Sequence, residues 1–185
     1  AFSFAAYSQV RLIPIAEGWA KNQVNAVVFR KNSVTSFRDH QYVAFYDGES
    51  RVVMAKRKLG KGNWTIRPTQ FTGDTSDAHN SISIAVDGKG FLHLAWGNHN
   101  TKLNYARSVE SGLLSFGNKE EMIGRTEDKV TYPEFYSMPN RDLLFFYRDG
   151  ASGNGNLVLD HYDVRTARWN RVQDNLVDGE RQRNA

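Results

Sequence analysis

Apolar residues in this chain alternate with polar ones over short stretches that are broken by Gly, Asn and Asp. That is the pattern of half-buried β-strands joined by tight turns. QYVAFYDGESRVVMAKRKLGKGNW (41–64) shows it first, as an aromatic-rich stretch, an Asp-Gly turn, a second stretch and an aromatic near the next turn. GFLHLAWGNHNTKLNYARSVESGLLSF (90–116) and DLLFFYRDGASGNGNLVLDHYDVRTARW (142–169) repeat the pattern. Tyr42, Phe91 and Leu143 hold equivalent places 49 and 52 residues apart, a repeat of about 50 residues. A further strand is predicted ahead of each copy, over 25–32, 80–88 and 131–138, and a fourth behind each, over 65–72, 115–124 and 170–177. Helical periodicity is nearly absent.

Four short strands per repeat of this length predict the blade of a β-propeller. A β-sandwich would also account for many short strands, but not for the repeat. The expected fold class is therefore all-β, with four-stranded antiparallel blades in one partial β-propeller domain over 1–185. The blades are expected at approximately 22–73, 77–124 and 128–178. Propellers close with roughly four to eight blades, and three leave a long sheet edge exposed. The chain is accordingly expected to be a fragment or one half of a nicked protein, with the remaining blades supplied by missing or separate polypeptide. AFSFAAYSQV, which lacks a basic segment leading into an apolar one, reads as a mature or trimmed amino terminus. GERQRNA reads as a cut end.

Composition narrows the function classes. Of 185 residues, 4 are Trp, 8 Tyr and 11 Phe, which is far more buriable ring area than a disordered chain carries. No apolar run approaches the roughly 20 residues of a membrane-spanning helix. The absence of Cys excludes disulfides, thiolate metal sites and a cysteine nucleophile, without fixing the compartment. A net charge of +4 suits a polyanionic partner and equally suits ordinary solvated charge. The basic residues are dispersed and form no nucleic-acid recognition element, and KRKLGK (56–61) reads as a solvated hairpin turn. Phosphate-binding loop, HExxH, GxSxG and EF-hand patterns are all missing, and GASGNGN (150–156) reads as a flexible turn.

Blade geometry gathers scattered residues into a candidate site. Strand directions alternate within a blade, so the loop leading into the first strand and the loop joining the second and third strands emerge on one face. In the second blade these loops are SDAHNS, with His79, and GNHNTK, with His99. In the third they are KVTYPE, with Tyr132, and YRDGASGNGN, with Arg148 at its start. Two imidazoles, a phenol and a guanidinium on one face make a reaction centre. Taken singly, each has a plainer reading: a solvated turn histidine, a packed aromatic before Pro133, a surface ion pair of Arg148 with Asp149. Their equivalent positions on adjacent blades favour function. His93, inside FLHLAW, reads as structural, and His40 and His161 read as residues without partners.

The string DAHNSISIAVDGKGFLHLAWGNHNTKLNYARS (77–108) resembles the signature segment of BNR-repeat propeller proteins. In particular it resembles that of the ulvan lyases and related polysaccharide lyases, which are built as seven-bladed propellers. His-Asn before a strand, Asp-Gly-x-Gly before the next, a Gly-x-His turn and Leu-Asn-Tyr-x-Arg-Ser occur in order. The resemblance extends more loosely through TYPEF and FFYRDG over roughly 22–185.

What the resemblance implies is β-elimination of an acidic, uronate-containing polysaccharide, with ulvan as the expected substrate and no nucleic acid or membrane as partner. Such chemistry needs a base for the C5 proton, a cation or donor for the enolate, and an acid for the leaving glycosidic oxygen. His79 and Tyr132 resemble the family's catalytic histidine and tyrosine, sharing the base and acid roles. Arg148 resembles the arginine that pairs with the uronate carboxylate. His99 resembles a second active-site histidine, assigned to substrate binding or support of the base, and Asn80 is assigned to orienting the sugar. A phenol titrates at about pH 10 in water, so a tyrosine base needs stabilisation, for which Arg148 and a neighbouring histidine are placed. No cofactor is required for catalysis, a structural metal is left open, and the protein is expected to be secreted or periplasmic. The alternatives are a propeller glycoside hydrolase acting on rhamnose-capped glycans and a non-catalytic carbohydrate-binding propeller.

Overall fold

The computed structural model describes residues 11–26, 32–180, 182 and 183. Twelve strands and no helix occur among them. They are β1 (Val34–Phe37), β2 (His40–Tyr46), β3 (Arg51–Lys58), β4 (Thr65–Thr72), β5 (Ile82–Val86), β6 (Leu92–Trp96), β7 (His99–Thr101), β8 (Tyr105–Arg107), β9 (Val130–Ser137), β10 (Leu143–Asp149), β11 (Asn156–Asp163) and β12 (Arg168–Val177). Three antiparallel sheets result, in the orders β1-β2-β3-β4, β5-β6-β8 and β12-β11-β10-β9-β7. Asx turns set several of the corners. The Asp87 carboxylate accepts from the amides of Lys89 and Phe91, and Asp47 does the same for Glu49 and Arg51.

The sheets stack face to face as successive blades, and the middle one is buried on both sides. Ile82, Ile84 and Val86 on β5 and Leu92, Leu94 and Trp96 on β6 pack with Tyr42, Tyr46, Val52 and Met54 of the first sheet. The intervening Ala85 and Ala95 pack with Val130, Phe135, Leu143, Phe145 and Tyr147 of the third. The period of two thus divides one short sheet between two cores. Hydrogen bonds tie β5, β9 and the turn before β1 together: the Ile84 amide donates to the Asn32 carbonyl (2.6 Å) and the Asn32 amide group to the Phe135 carbonyl (2.7 Å). The Phe135 amide in turn donates to Ser83 Oγ (3.0 Å).

One strand expectation changes, and another falls mostly on residues that are not described. The one at 25–32 lies mostly outside the described residues; Gln23 to Ala26 form a turn, and among the described residues the first strand of that sheet is Val34–Phe37. The fourth strand of the middle sheet, expected over 115–124, reduces to a bridge between Ser108 and Phe116. Beyond it only the Gly117 and Glu120 amides reach β8, at the carbonyls of Arg107 and Tyr105. GNKEE offers no apolar alternation to hold a ladder there. The histidines expected to lack partners have them: His40 lies 2.8 Å from Asp39 and His161 2.9 Å from Asp142. KRKLGK likewise is not a purely solvated turn, since Lys56 donates to the Gly112 carbonyl and Arg57 lies over the Trp64 ring.

The outer part of the third sheet rests on one buried ion pair. Arg171 on β12 meets Asp160 on β11 at 2.5 Å and also donates to Tyr147 Oη (2.9 Å) and Thr126 Oγ1 (2.7 Å). Asp160 is fully buried, and its Oδ2 has no hydrogen-bond partner among the described residues. Burial therefore outweighs Arg171 and pushes this carboxyl up to about 6. Its folded-state pKa exceeds the unfolded value, so the stability it contributes is present at low pH and is lost as pH rises through about 6. Arg171→Met leaves Asp160 unpaired and is expected to cost about 3–5 kcal/mol at pH 8. The cost should be clearly less at pH 5, where the carboxyl is protonated. Urea unfolding of the intact protein at both pH values checks this, and an equal cost at each would show that the stranded charge is not the cause.

Candidate active site

The loop from Gly73 to Ser81, between the first and second sheets, is shaped from below by a buried tyrosine. Tyr46 donates from its hydroxyl to the Asn80 carbonyl at 2.8 Å, and its ring passes so close to Gly73 that a Cβ there would sit 2.6 Å from it. Asn80 donates its amide group to the Asp74 carbonyl (2.9 Å), and Asn22 donates to that of Thr75 (2.7 Å). The loop is thereby held in a turn that projects Asp77 and His79.

Asp77 joins the two histidines of the face. One carboxylate oxygen takes the His79 backbone amide (2.9 Å) and lies 2.6 Å from His79 Nδ1, while the other lies 2.6 Å from His99 Nδ1. Burial works against the charge on Asp77, but the His79 amide and the two imidazoles outweigh it and hold the carboxyl down at about 2. The imidazoles stack with centroids 4.6 Å apart. Tyr132 lies against both, 5.9 Å from His79 and 5.5 Å from His99, and the Arg148 guanidinium sits 5.2 Å from the Tyr132 ring centroid.

His99, Tyr132 and Arg148 were expected on loops and instead sit on strands. His99 opens β7, which leaves the middle sheet and pairs with β9 of the third, His99 opposite Thr131. The Tyr132 amide donates to the Asn98 carbonyl (3.1 Å), and the Asn100 amide to Thr131 Oγ1 (2.7 Å). Tyr132 and Pro133 together oppose Tyr147, a β-bulge between the pairs Phe146–Glu134 and Arg148–Thr131. Tyr132 has a φ of 56°, a left-handed conformation that costs a side-chain-bearing residue about 1–3 kcal/mol and is concentrated at functional sites. Arg148 is 7% exposed, and its Nε donates to the Gly150 carbonyl (3.2 Å), which also accepts from Thr131 Oγ1 (2.8 Å). Gly150 is obligatory, because a Cβ there would lie 2.2 Å from the Asn154 carbonyl oxygen.

Four of the five expected residues therefore meet on one face. Asn80 does not: it is 5% exposed and braces the loop beneath His79. His93 is fully buried, 2.8 Å from the Tyr105 hydroxyl. Asp77 is the member of the face that sequence reasoning missed, although Asp-x-His at 77–79 was its visible signal. Asp77, His79 and His99 also offer three ligand atoms within 4.8 Å of one another, a set able to hold a metal ion. The same two Nδ1 atoms make the short hydrogen bonds to Asp77, so hydrogen bonding and ligation through those atoms exclude each other.

The chain is similar to proteins of known class. Among curated proteins the chain is 27% identical over 123 residues to the ulvan lyase of Nonlabens ulvanivorans, covering 60% of this chain and 25% of that protein. It is 24% identical over 188 residues to the long isoform of the ulvan lyase of Alteromonas sp. (strain LOR), covering 75% of this chain and 19% of that one. The chain thus spans a quarter or less of the length of these relatives. Among solved structures, the polysaccharide lyase Uly1 superposes with a TM-score of 0.66 at 17% identity, over 88% of this chain and 44% of that one. A PL25 ulvan lyase bound to a GlcA(1-4)Rha3S ligand superposes with a TM-score of 0.64 at 16% identity, over 78% and 37%. At such identities the structural likeness establishes the fold, an arc of a β-propeller. The sequence model of the BNR repeat-containing family matches residues 40–185, and the chain belongs to that family.

Proposed function

We propose that this chain carries the reacting face of a polysaccharide lyase that cleaves an acidic, uronate-containing polysaccharide, with ulvan as the candidate substrate, by β-elimination. The reading is carried by the convergence of His79, His99 and Tyr132, with ring centroids 4.6–5.9 Å apart, beside the Arg148 guanidinium. Sequence likeness to proteins named as ulvan lyases supports it.

In the proposed reaction a base removes the C5 proton of the uronate, and the electron pair left behind is delocalised into the carboxylate as an enolate. That pair then forms the C4–C5 double bond as the C4–O bond breaks, and the glycosidic oxygen takes a proton from an acid. Arg148 supplies a planar cation, largely withdrawn from water, for the carboxylate and for the charge that develops on it. Tyr132 and the half-exposed His79 share the base and acid roles. His99, more enclosed, supports His79 through stacking and through their common carboxylate. These steps need no cofactor. A polymer of this kind is met outside the cytoplasm, which makes the protein secreted or periplasmic. Leu144, Phe146 and Leu157 line an open groove beside Tyr132 on the outer face of the third sheet. Our reading places a further blade there, as the third sheet itself covers the second.

In the intact protein, His79→Ala and Tyr132→Phe are each expected to lower kcat for formation of unsaturated uronate about 100- to 10,000-fold. Ultraviolet absorbance and reducing ends, followed together on ulvan and other uronate polysaccharides, check this. Full activity in both variants sinks the assignment. Reducing ends without absorbance indicate a hydrolase, and binding without either a non-catalytic carbohydrate module.

Arg148→Lys keeps the charge and loses the planar fork, so kcat/KM should fall about 100-fold with the fold intact. A value within about threefold of wild type in the same assay would show that the guanidinium does not meet the carboxylate.

A further inference from the structure

We infer that Asp77 is a positioning residue that fixes the hydrogen-bonding state of both imidazoles on the reacting face at once. The inference rests on the reading of that face as a lyase site, but its geometry stands apart from the substrate. A carboxylate only accepts hydrogen bonds, so each imidazole 2.6 Å from Asp77 must place its proton on Nδ1. In the neutral rings this leaves both Nε2 atoms as bare acceptors, the state a base requires. The two rings come from different places: His79 lies two residues along the same turn, and His99 lies 22 residues away on a strand paired with the third sheet. One carboxylate therefore couples a loop to a neighbouring sheet and aligns the stack that Tyr132 completes.

Asp77 is itself built in. Its carbonyl accepts from the Asn80 amide (3.2 Å), and Asn80 is in turn held by Tyr46 from the core. The carboxylate side chain is one-third exposed, shielded without being sealed from solvent. Its two oxygens are held in place by the His79 backbone amide and by the two ring nitrogens. An imidazolium formed on either ring finds its counter-charge already in place.

Asp77→Asn tests this without changing shape. An amide offers one accepting oxygen and one donating nitrogen group, so it can satisfy one Nδ1–H but must donate to the other ring, moving that proton to Nε2. In the intact variant, with a chelator present to exclude metal ligation, kcat for elimination is expected to fall about 100-fold or more. KM should stay within about threefold, and the melting temperature should be close to wild type. Nitrogen-15 NMR of the histidine rings should show both rings protonated at Nδ1 in the wild type and one at Nε2 in Asp77→Asn. A variant kcat within threefold of wild type, or two rings still protonated at Nδ1, overturns the inference. So does loss of wild-type activity in the chelator with the melting temperature unchanged, which would mean that the trio, rather than a structural site, holds a metal. If Asp77→Asn is fully active while His79→Ala and Tyr132→Phe are dead, this inference alone fails. If no uronate polysaccharide is eliminated, the lyase reading fails and the ring spectra still decide the role of Asp77.

Discussion

The burial of the middle sheet on both faces is the constraint on which the rest of the structure depends. Ile82, Ile84 and Val86 with Leu92, Leu94 and Trp96 face one neighbour, and Ala85 and Ala95 face the other. Each large side chain removed from water there contributes about 1.5–3 kcal/mol. A slip of one residue would exchange the two faces and put bulky chains where only alanine fits. The register is therefore fixed, and with it the places where the loops of this sheet emerge. Packed sheets lie about 10 Å apart. That distance lets a turn before β5 and a strand of the next sheet bring their side chains into contact, as His79 and Tyr132 do.

The same constraint explains an imidazole in the core. The face of the middle sheet that meets the third sheet is lined by Ser83, Ala85 and Ala95, which leave room for the rings of Tyr105, Phe135, Tyr162 and Trp169 around His93. Burial lowers the pKa of His93, against the pull of Asp87, and favours the neutral ring. Asp87 can only accept, so Nε2 carries the proton, and Nδ1 accepts from the Tyr105 hydroxyl, which accepts from Trp169 Nε1. Each donor in that chain has one direction open to it. The core is thus specified by polar order as well as by volume.

Much of this was legible in the sequence because its causes are local. Alternation and turn residues placed β2, β3, β5, β6 and β9 to β12, and the repeat placed them in blades. Equivalent positions on adjacent blades brought His79, His99, Tyr132 and Arg148 into one candidate site, although three of them lie on strands. The misses have non-local causes. VTSF was not expected as a strand because it is short and only partly apolar. GNKEE follows β8 only through two backbone contacts that no side-chain pattern records. Asn80 looked like a ligand for sugar because nothing local reveals that the Tyr46 hydroxyl, 34 residues away, draws its turn inward. Asp77 was given no role because only one of its two imidazole partners is its neighbour in sequence.

The bulge at Tyr132 and Pro133 shows why the site needs a break in the regular pattern. Along an uninterrupted β9 the alternation that pairs Glu134 with Phe146 would continue, and Thr131 would fall on the opposite face from Arg148. With two residues set against Tyr147, the alternation shifts by one and Thr131 pairs with Arg148. Both side chains then reach the Gly150 carbonyl, which positions the guanidinium. The extra residue is released from the ladder to stand beside the imidazoles, and that residue is the tyrosine. Pro133 lacks the amide a regular ladder would use, so a proline at this point loses nothing, and it restricts the backbone of the residue before it. The left-handed backbone of Tyr132 is thus the local cost of bringing a phenol, a guanidinium and two imidazoles from two sheets to one point.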